Sequence, residues 1–264
     1  MLRRLQEREI KGPGGTPLHF INSMYATGAF VARLRQSDLL DSHEGCVNAL
    51  SWSSNGQRLV SGSDDTQICI WNASDYSLAC KIATGHRANI FSAKFMPHSG
   101  DATVVCCAGD AEIRVFDVHY SQSRAVDERA RLRHVFRCHS DRAKRIVTED
   151  NPSCFLSCSE DGTVRHFDLR QPHSCSEERC PAALLDFSPY DIDLNGLSRN
   201  THHPDYLAVC GTNPYIYLHD RRMIRDAVTG CVRRFMPGSS DGRRGHVTAV
   251  KFGEASGREV GGRR

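Results

Sequence analysis

The 264-residue sequence has no apolar run of the ~18 residues that a membrane-spanning helix requires. It also carries little charge of one sign. The formal net charge is +3 with 25% of residues charged, too weak a basic balance to imply a nucleic-acid partner by itself. The opening residues, Met1 to Glu9, are positively charged but have no apolar stretch behind them, so a secretory signal is not expected. A serine in a glycine elbow, a phosphate-binding loop and a His-Glu-x-x-His helix are all missing. Without them catalysis has no recognisable mechanical part, and no catalytic residue and no cofactor are expected. The expectation is a globular chain of a reducing compartment, nuclear or cytoplasmic, with no membrane association.

Cysteine is plentiful, at 12 residues. Cys46, Cys69, Cys106, Cys107, Cys154, Cys158 and Cys210 sit in apolar, strand-like stretches and read as buried free thiols, which behave as small hydrophobes. His173, Cys175 and Cys180 differ, offering three metal donors in a polar segment. No second ligand pair at zinc spacing stands nearby in the sequence, so no metal is expected there.

Internal repetition organises the chain. Four segments, Leu59–Asn72, Val105–Asp117, Phe155–Asp168 and Leu207–Asp220, close alike. Their closing positions Trp71, Phe116, Phe167 and His219 lie 45, 51 and 52 residues apart. Strands opened by His43, His86 and His139 precede the first three, and His246 opens another near the end. Apolar residues alternate at period two or form short β-branched runs bounded by turn residues, the pattern of β-strands. An Asp stands six positions before the closing aromatic three times, as Asp65, Asp110 and Asp161.

These phased residues over 42–252 resemble the WD-repeat family of β-propellers, whose repeats run about 40–45 residues with four strands each. The resemblance implies an all-β propeller in which the Asp is buried against the opening His, while a strand Ser links that His to the closing aromatic. The structural sets are then His43, Ser61, Asp65 and Trp71; His86 and Asp110; and His139, Ser157, Asp161 and Phe167. Buried carboxylates are tolerable only when hydrogen-bonded in such a way. Asn213 replaces the Asp in the fourth repeat. Family members usually have seven blades, whereas this length holds four to five, so an open, incomplete propeller is expected.

Residues 1–41 read as a helical arm, with an apolar stripe over Ile21 to Leu40 suited to packing or to docking a partner. Tyr120 to Arg137 and Gln171 to Asn200 read as irregular insertions, and 253–264 as a disordered tail. Two repeats close with aromatic-Asp-x-Arg or its variant, Phe167-Asp168-Leu169-Arg170 and His219-Asp220-Arg221-Arg222. That box resembles the one in WD-repeat substrate receptors of cullin-4 RING ubiquitin ligases, in the branch of the nuclear-receptor-interacting and WD-and-tetratricopeptide proteins. The long match Gly85–Phe95 points the same way. By resemblance, Arg170 and Arg222 contact the damaged-DNA-binding-protein adaptor and Asp168 and Asp220 support them, and an unidentified substrate is a second protein partner. The alternative is a scaffold for a chromatin or RNA-processing complex. Nucleic acid is a weaker expectation, because the basic residues Arg142, Lys144, Arg145 and Arg225 are interspersed with Asp141, Glu149, Asp150 and Asp226.

Overall fold

The computed structural model describes residues 27–120, 130–173, 175, 180, 182–236, 245–253 and 260–263. The chain divides at Asp41/Ser42 into two units. In the first, the helix expected over Ile21 to Leu40 is, among the described residues, a single turn, α1 (Gly28–Val31), which Thr27 caps by accepting the Phe30 N–H at 3.3 Å. Residues 34–41 have no regular structure. Val31, Leu34 and Leu39 are all more than half exposed, and a stripe left unburied gives a helix little of the packing that sustains it. Leu2 to Lys11 and positions 21–26 lie outside the described residues.

The second unit is built of antiparallel sheets. The first contains β1 (Val47–Trp52), β2 (Arg58–Ser63), β3 (Gln67–Asn72) and β4 (Leu78–Ala83). The second contains β5 (Ile90–Phe95), β6 (Thr103–Ala108), β7 (Ile113–Val118) and β8 (Ala130–Phe136). The third contains β9 (Ala143–Thr148), β10 (Cys154–Ser159), β11 (Thr163–Asp168) and β12 (Ala183–Asp186). The fourth contains β13 (Leu194–Arg199), β14 (Tyr206–Gly211), β15 (Ile216–Asp220) and β16 (Arg233–Phe235), and a hairpin of β17 (Ala249–Phe252) and β18 (Val260–Arg263) follows. Within each sheet the strands pair in sequence order. First strands pack in file, β1 on β5, β5 on β9, β9 on β13 and β13 on β17. Among the described residues the result is four four-stranded blades and a two-stranded fifth sheet, an incomplete propeller.

No single core holds this array. One apolar layer lies between blades one and two, and further layers lie between two and three, three and four, and four and the hairpin. The second strands explain their own composition. In β6, Val104 and Cys106 enter the first layer while Val105 and Cys107 enter the next. In β14, Leu207 and Val209 face blade three while Ala208 and Cys210 face the hairpin. A strand covered on both faces needs a continuous apolar run, and those runs are what the repeats carry. Phe136, Phe155 and Phe167 add an aromatic cluster between blades two and three, with centroids 4.9 to 6.0 Å apart.

Four expectations need correction. Much of the insertion Tyr120 to Arg137 is the outer strand β8, whose arginines suit a strand at a solvent-facing edge; 121–129 lie outside the described residues. Gln171 to Asn200 contains β12 and the inner strand β13, concealed in the sequence because no His opens that repeat. The tail 253–264 contains β18, paired with β17; Val-Gly-Gly-Arg has little strand character of its own, so pairing overrides propensity. Cys46, read as buried, is exposed, whereas Cys69, Cys106, Cys107, Cys154, Cys158 and Cys210 are buried.

The residue after the repeat Asp sits in the left-handed region in three blades, as Thr66 (φ 63), Ala111 (φ 65) and Gly162 (φ 80). Only glycine adopts it without a Cβ penalty, and a β-branched residue is the worst fit. Thr66→Gly is therefore expected to raise stability by about 1 kcal/mol, measured as a higher urea midpoint at unchanged slope.

Candidate functional site

The hydrogen-bond systems of the first three blades share one plan. His43 Nδ1 lies 2.8 Å from Asp65 Oδ2 and its Nε2 2.8 Å from Ser61 Oγ. Trp71 Nε1–H donates to the same hydroxyl at 3.0 Å. In blade three His139 stands 2.8 Å from Asp161 and 2.6 Å from Ser157 Oγ. In blade two His86 faces both Asp110 oxygens at 3.0 Å, with Cys106 Sγ at 3.3 Å in the place of the Ser. Phe116 and Phe167 fill the Trp position without a donor.

Each Asp gathers two backbone donors besides. The residue after the His donates its N–H (Glu44, Arg87 and Ser140), and so does the residue two beyond the Asp (Gln67, Glu112 and Thr163). An Asp acceptor fixes the proton on Nδ1, leaving Nε2 to accept from the Ser hydroxyl. Burial alone would push the Asp161 carboxyl up, but the bonds from His139 and Thr163 outweigh it and hold the group at about 2. These side chains are occupied in joining the strands of a blade.

Blade four lacks the plan. Asn213 Nδ2–H donates to the Tyr217 hydroxyl at 2.6 Å instead. His219 takes the aromatic slot and is fully buried, edge-on to Phe187 at 6.0 Å. Burial pushes its imidazole down to about 4.

Two arginine forks stand at the ends of β11 and β15. Arg170 donates from Nε to Asp168 Oδ1 at 2.9 Å and from Nη2 to Oδ2 at 2.6 Å. Arg222 repeats this on Asp220 at 2.9 and 2.6 Å. Their backbone N–H groups each bond the same carboxylate at 3.0 Å. Both side chains remain about two-thirds exposed, at 65% and 64%. Arg170 holds the Asp168 carboxyl down at about 2, and Arg222 lowers that of Asp220. Arg221 reaches from blade four to Glu149 of blade three, which also faces His166 at 3.6 Å. This ties the two forks to neighbouring parts of one rim. Blades one and two have no such Arg: Asn72 bonds Ser77, and Asp117 is met by Arg133 at 3.5 Å from the adjoining strand.

The His173, Cys175 and Cys180 segment gains a fourth member that sequence spacing alone does not point to. Cys138, just before the opening His139, brings its sulfur to 3.1 Å from His173 Nε2 and 4.0 Å from Cys175 Sγ. Only the fold shows that the β8–β9 and β11–β12 connections meet.

Such phased His–Asp blades define a WD-repeat chain, and comparison with known proteins agrees. The family described as WD domain, G-beta repeat, matches residues 34–72 and 130–168. The chain is similar to the WD repeat protein iqw1 of Schizosaccharomyces pombe, with 35% identity over 90% of this chain and 32% of that protein. It resembles the Homo sapiens DDB1- and CUL4-associated factor 6, at 36% identity over 88% of this chain and 27% of the relative. It also resembles the Homo sapiens WD and tetratricopeptide repeats protein 1, at 35% over 85% and 31% respectively. The chain thus spans about a third or less of the length of these relatives.

Two stability measurements follow from this geometry. Asp161→Ala strands His139 and two backbone donors in a buried turn, with an expected cost of roughly 3 kcal/mol in chemical unfolding. His219 acts through pH. An unfolded imidazole protonates near 6.5, the buried one only near 4, so the unfolded state takes up the proton first as pH falls. Stability is full above that window and declines through it. His219→Phe is expected to remove this slope and gain about 2 kcal/mol at pH 5 relative to the change at pH 8.

Proposed function

We propose that this WD-repeat scaffold is a non-catalytic substrate receptor that docks on the damaged-DNA-binding-protein adaptor of a cullin-4 RING ubiquitin ligase. The observation that carries the reading is the pair of Asp-clamped forks, Asp168–Arg170 and Asp220–Arg222, repeated in consecutive blades and left exposed. The name of the human relative, DDB1- and CUL4-associated factor 6, supports the same assignment.

The physics of the forks suits docking. A free surface arginine loses considerable rotamer freedom when a partner immobilises it. Here two bonds to its own Asp have already fixed the guanidinium, and an exposed edge of the plane remains to bond carboxylates or carbonyls. A receptor held in this way needs no chemistry of its own. It raises the local concentration of a bound substrate's lysines near the ubiquitin-loaded enzyme. The twelve free cysteines suit a reducing compartment, and we assign the chain to the nucleus or cytoplasm.

Purified adaptor titrated against the chain tests the assignment. Arg170→Ala and Arg222→Ala are each expected to weaken binding about 30-fold, the range of an interface hot spot, without moving the thermal midpoint. Unchanged affinity in the double variant would reject the role given to the forks. A steep salt dependence of binding to nucleic acid in place of adaptor binding would point to a phosphate-binding surface.

A further inference from the structure

We infer that Cys138, His173, Cys175 and Cys180 form a structural zinc site that pins the long β11–β12 connection to the junction of blades two and three. Their four donor atoms all lie within 4.8 Å of one another. Cys138 Sγ is 3.1 Å from His173 Nε2, His173 Nε2 is 3.2 Å from Cys175 Sγ, and the sulfurs of Cys138 and Cys175 are 4.0 Å apart. A tetrahedral ion with Zn–S of about 2.3 Å and Zn–N of about 2.0–2.1 Å requires S···S edges near 3.8 Å and S···N edges near 3.6 Å. The donors already enclose a space of that size, and small rotamer adjustments complete it.

Donor chemistry selects the ion. Three thiolates and one imidazole in a tetrahedron suit zinc, while calcium and magnesium demand oxygen. The group closes around a single ion and is too tight to span a multi-iron cluster. Four protein donors leave no open position, which marks a structural site and not a catalytic one. The surroundings fit as well. The Arg137 backbone N–H donates to Cys175 Sγ at 3.0 Å, the kind of outer contact that steadies a metal-bound thiolate. Phe136 packs on the His173 ring at 5.1 Å between centroids, orienting it from the aromatic cluster behind.

The site also gives a reason for the arrangement of the connection. After Arg170 the chain travels to Ala183 before β12 begins. Three of its residues would share one ion with Cys138, which precedes β9 and belongs to a different part of the chain. A cross-link of this type replaces the apolar packing that a polar connection cannot supply, and its binding free energy adds to folding free energy.

The test uses the full chain purified in reducing buffer without chelator. Elemental analysis is expected to find one zinc per chain. Cobalt exchanged into the site is expected to give the intense visible bands of a tetrahedral thiolate centre. Cys138→Ser, Cys175→Ser and Cys180→Ser should each lower zinc affinity by more than the roughly 10–100-fold that losing an outer-shell partner costs. Cys46→Ser, at an exposed thiol outside the cluster, should keep full occupancy. Should a ligand variant fail to fold, cobalt titration of the unaltered chain and zinc protection of its thiols from alkylation decide the matter. A chain with no bound zinc that also fails to take up cobalt overturns the site, as do stoichiometric iron, a Cys138–Cys175 disulfide, or zinc binding indifferent to all three substitutions.

Discussion

A carboxylate placed under a turn and bonded to a histidine from the segment that leads into the blade is the constraint on which the blades depend. Asp65, Asp110 and Asp161 each receive an imidazole N–H and two backbone N–H groups. One side chain thereby joins the segment before a blade's first strand to the turn between its second and third. Sheet hydrogen bonds fix neighbours in a ladder but are indifferent to which loop lies over which edge. The buried Asp supplies that choice, and its low proton affinity keeps it charged and bonded over the ordinary pH range. Where the pair is missing, in blade four, an amide–phenol contact stands at the Asp position and a buried neutral imidazole fills the aromatic slot. The sheet still forms, because the layers on either side enclose it.

Those layers make the unit close to one-dimensional. Among the described residues every apolar layer belongs to two successive sheets, the nearest-neighbour pattern of a repeat array. Burial is therefore spread along the array, and continuous apolar runs such as Val104 to Ala108 serve two layers at once. Ties between polar groups follow the same order. Glu149 meets Arg221 across the junction of blades three and four, and Arg199 of blade four meets Asp150 at 2.9 Å. The fork residues thus sit on a rim braced from below by apolar contacts and laterally by ion pairs.

Much of this was legible in the sequence because the physics repeats. Period-two alternation, turn residues and the phased His, Asp and aromatic positions marked four blades. Reading failed where a strand carries no signature of its own. β8 is rich in arginine because it lies at an edge, β13 has no opening histidine, and half of β18 is glycine. The α1 region misled in the opposite sense, since an apolar stripe indicates a helix only if something buries it. Sequence spacing could bring together His173, Cys175 and Cys180, which share one connection. Cys138 lies more than thirty positions earlier, and only the stacking of two blades brings it to them. The Asp–Arg forks were readable as a motif, but their matched geometry in successive blades was not.

The sharing of every buried layer between successive sheets has a consequence for how such chains change length. A cut between two blades strips one face from each piece, exposing a second strand that was built to be dry on both sides. Adding or deleting a complete repeat in phase creates and removes layers in equal number and leaves both flanking surfaces matched. Lineages of such chains are thereby steered toward growth and shrinkage in whole modules, with finer variation confined to the connections at the rims.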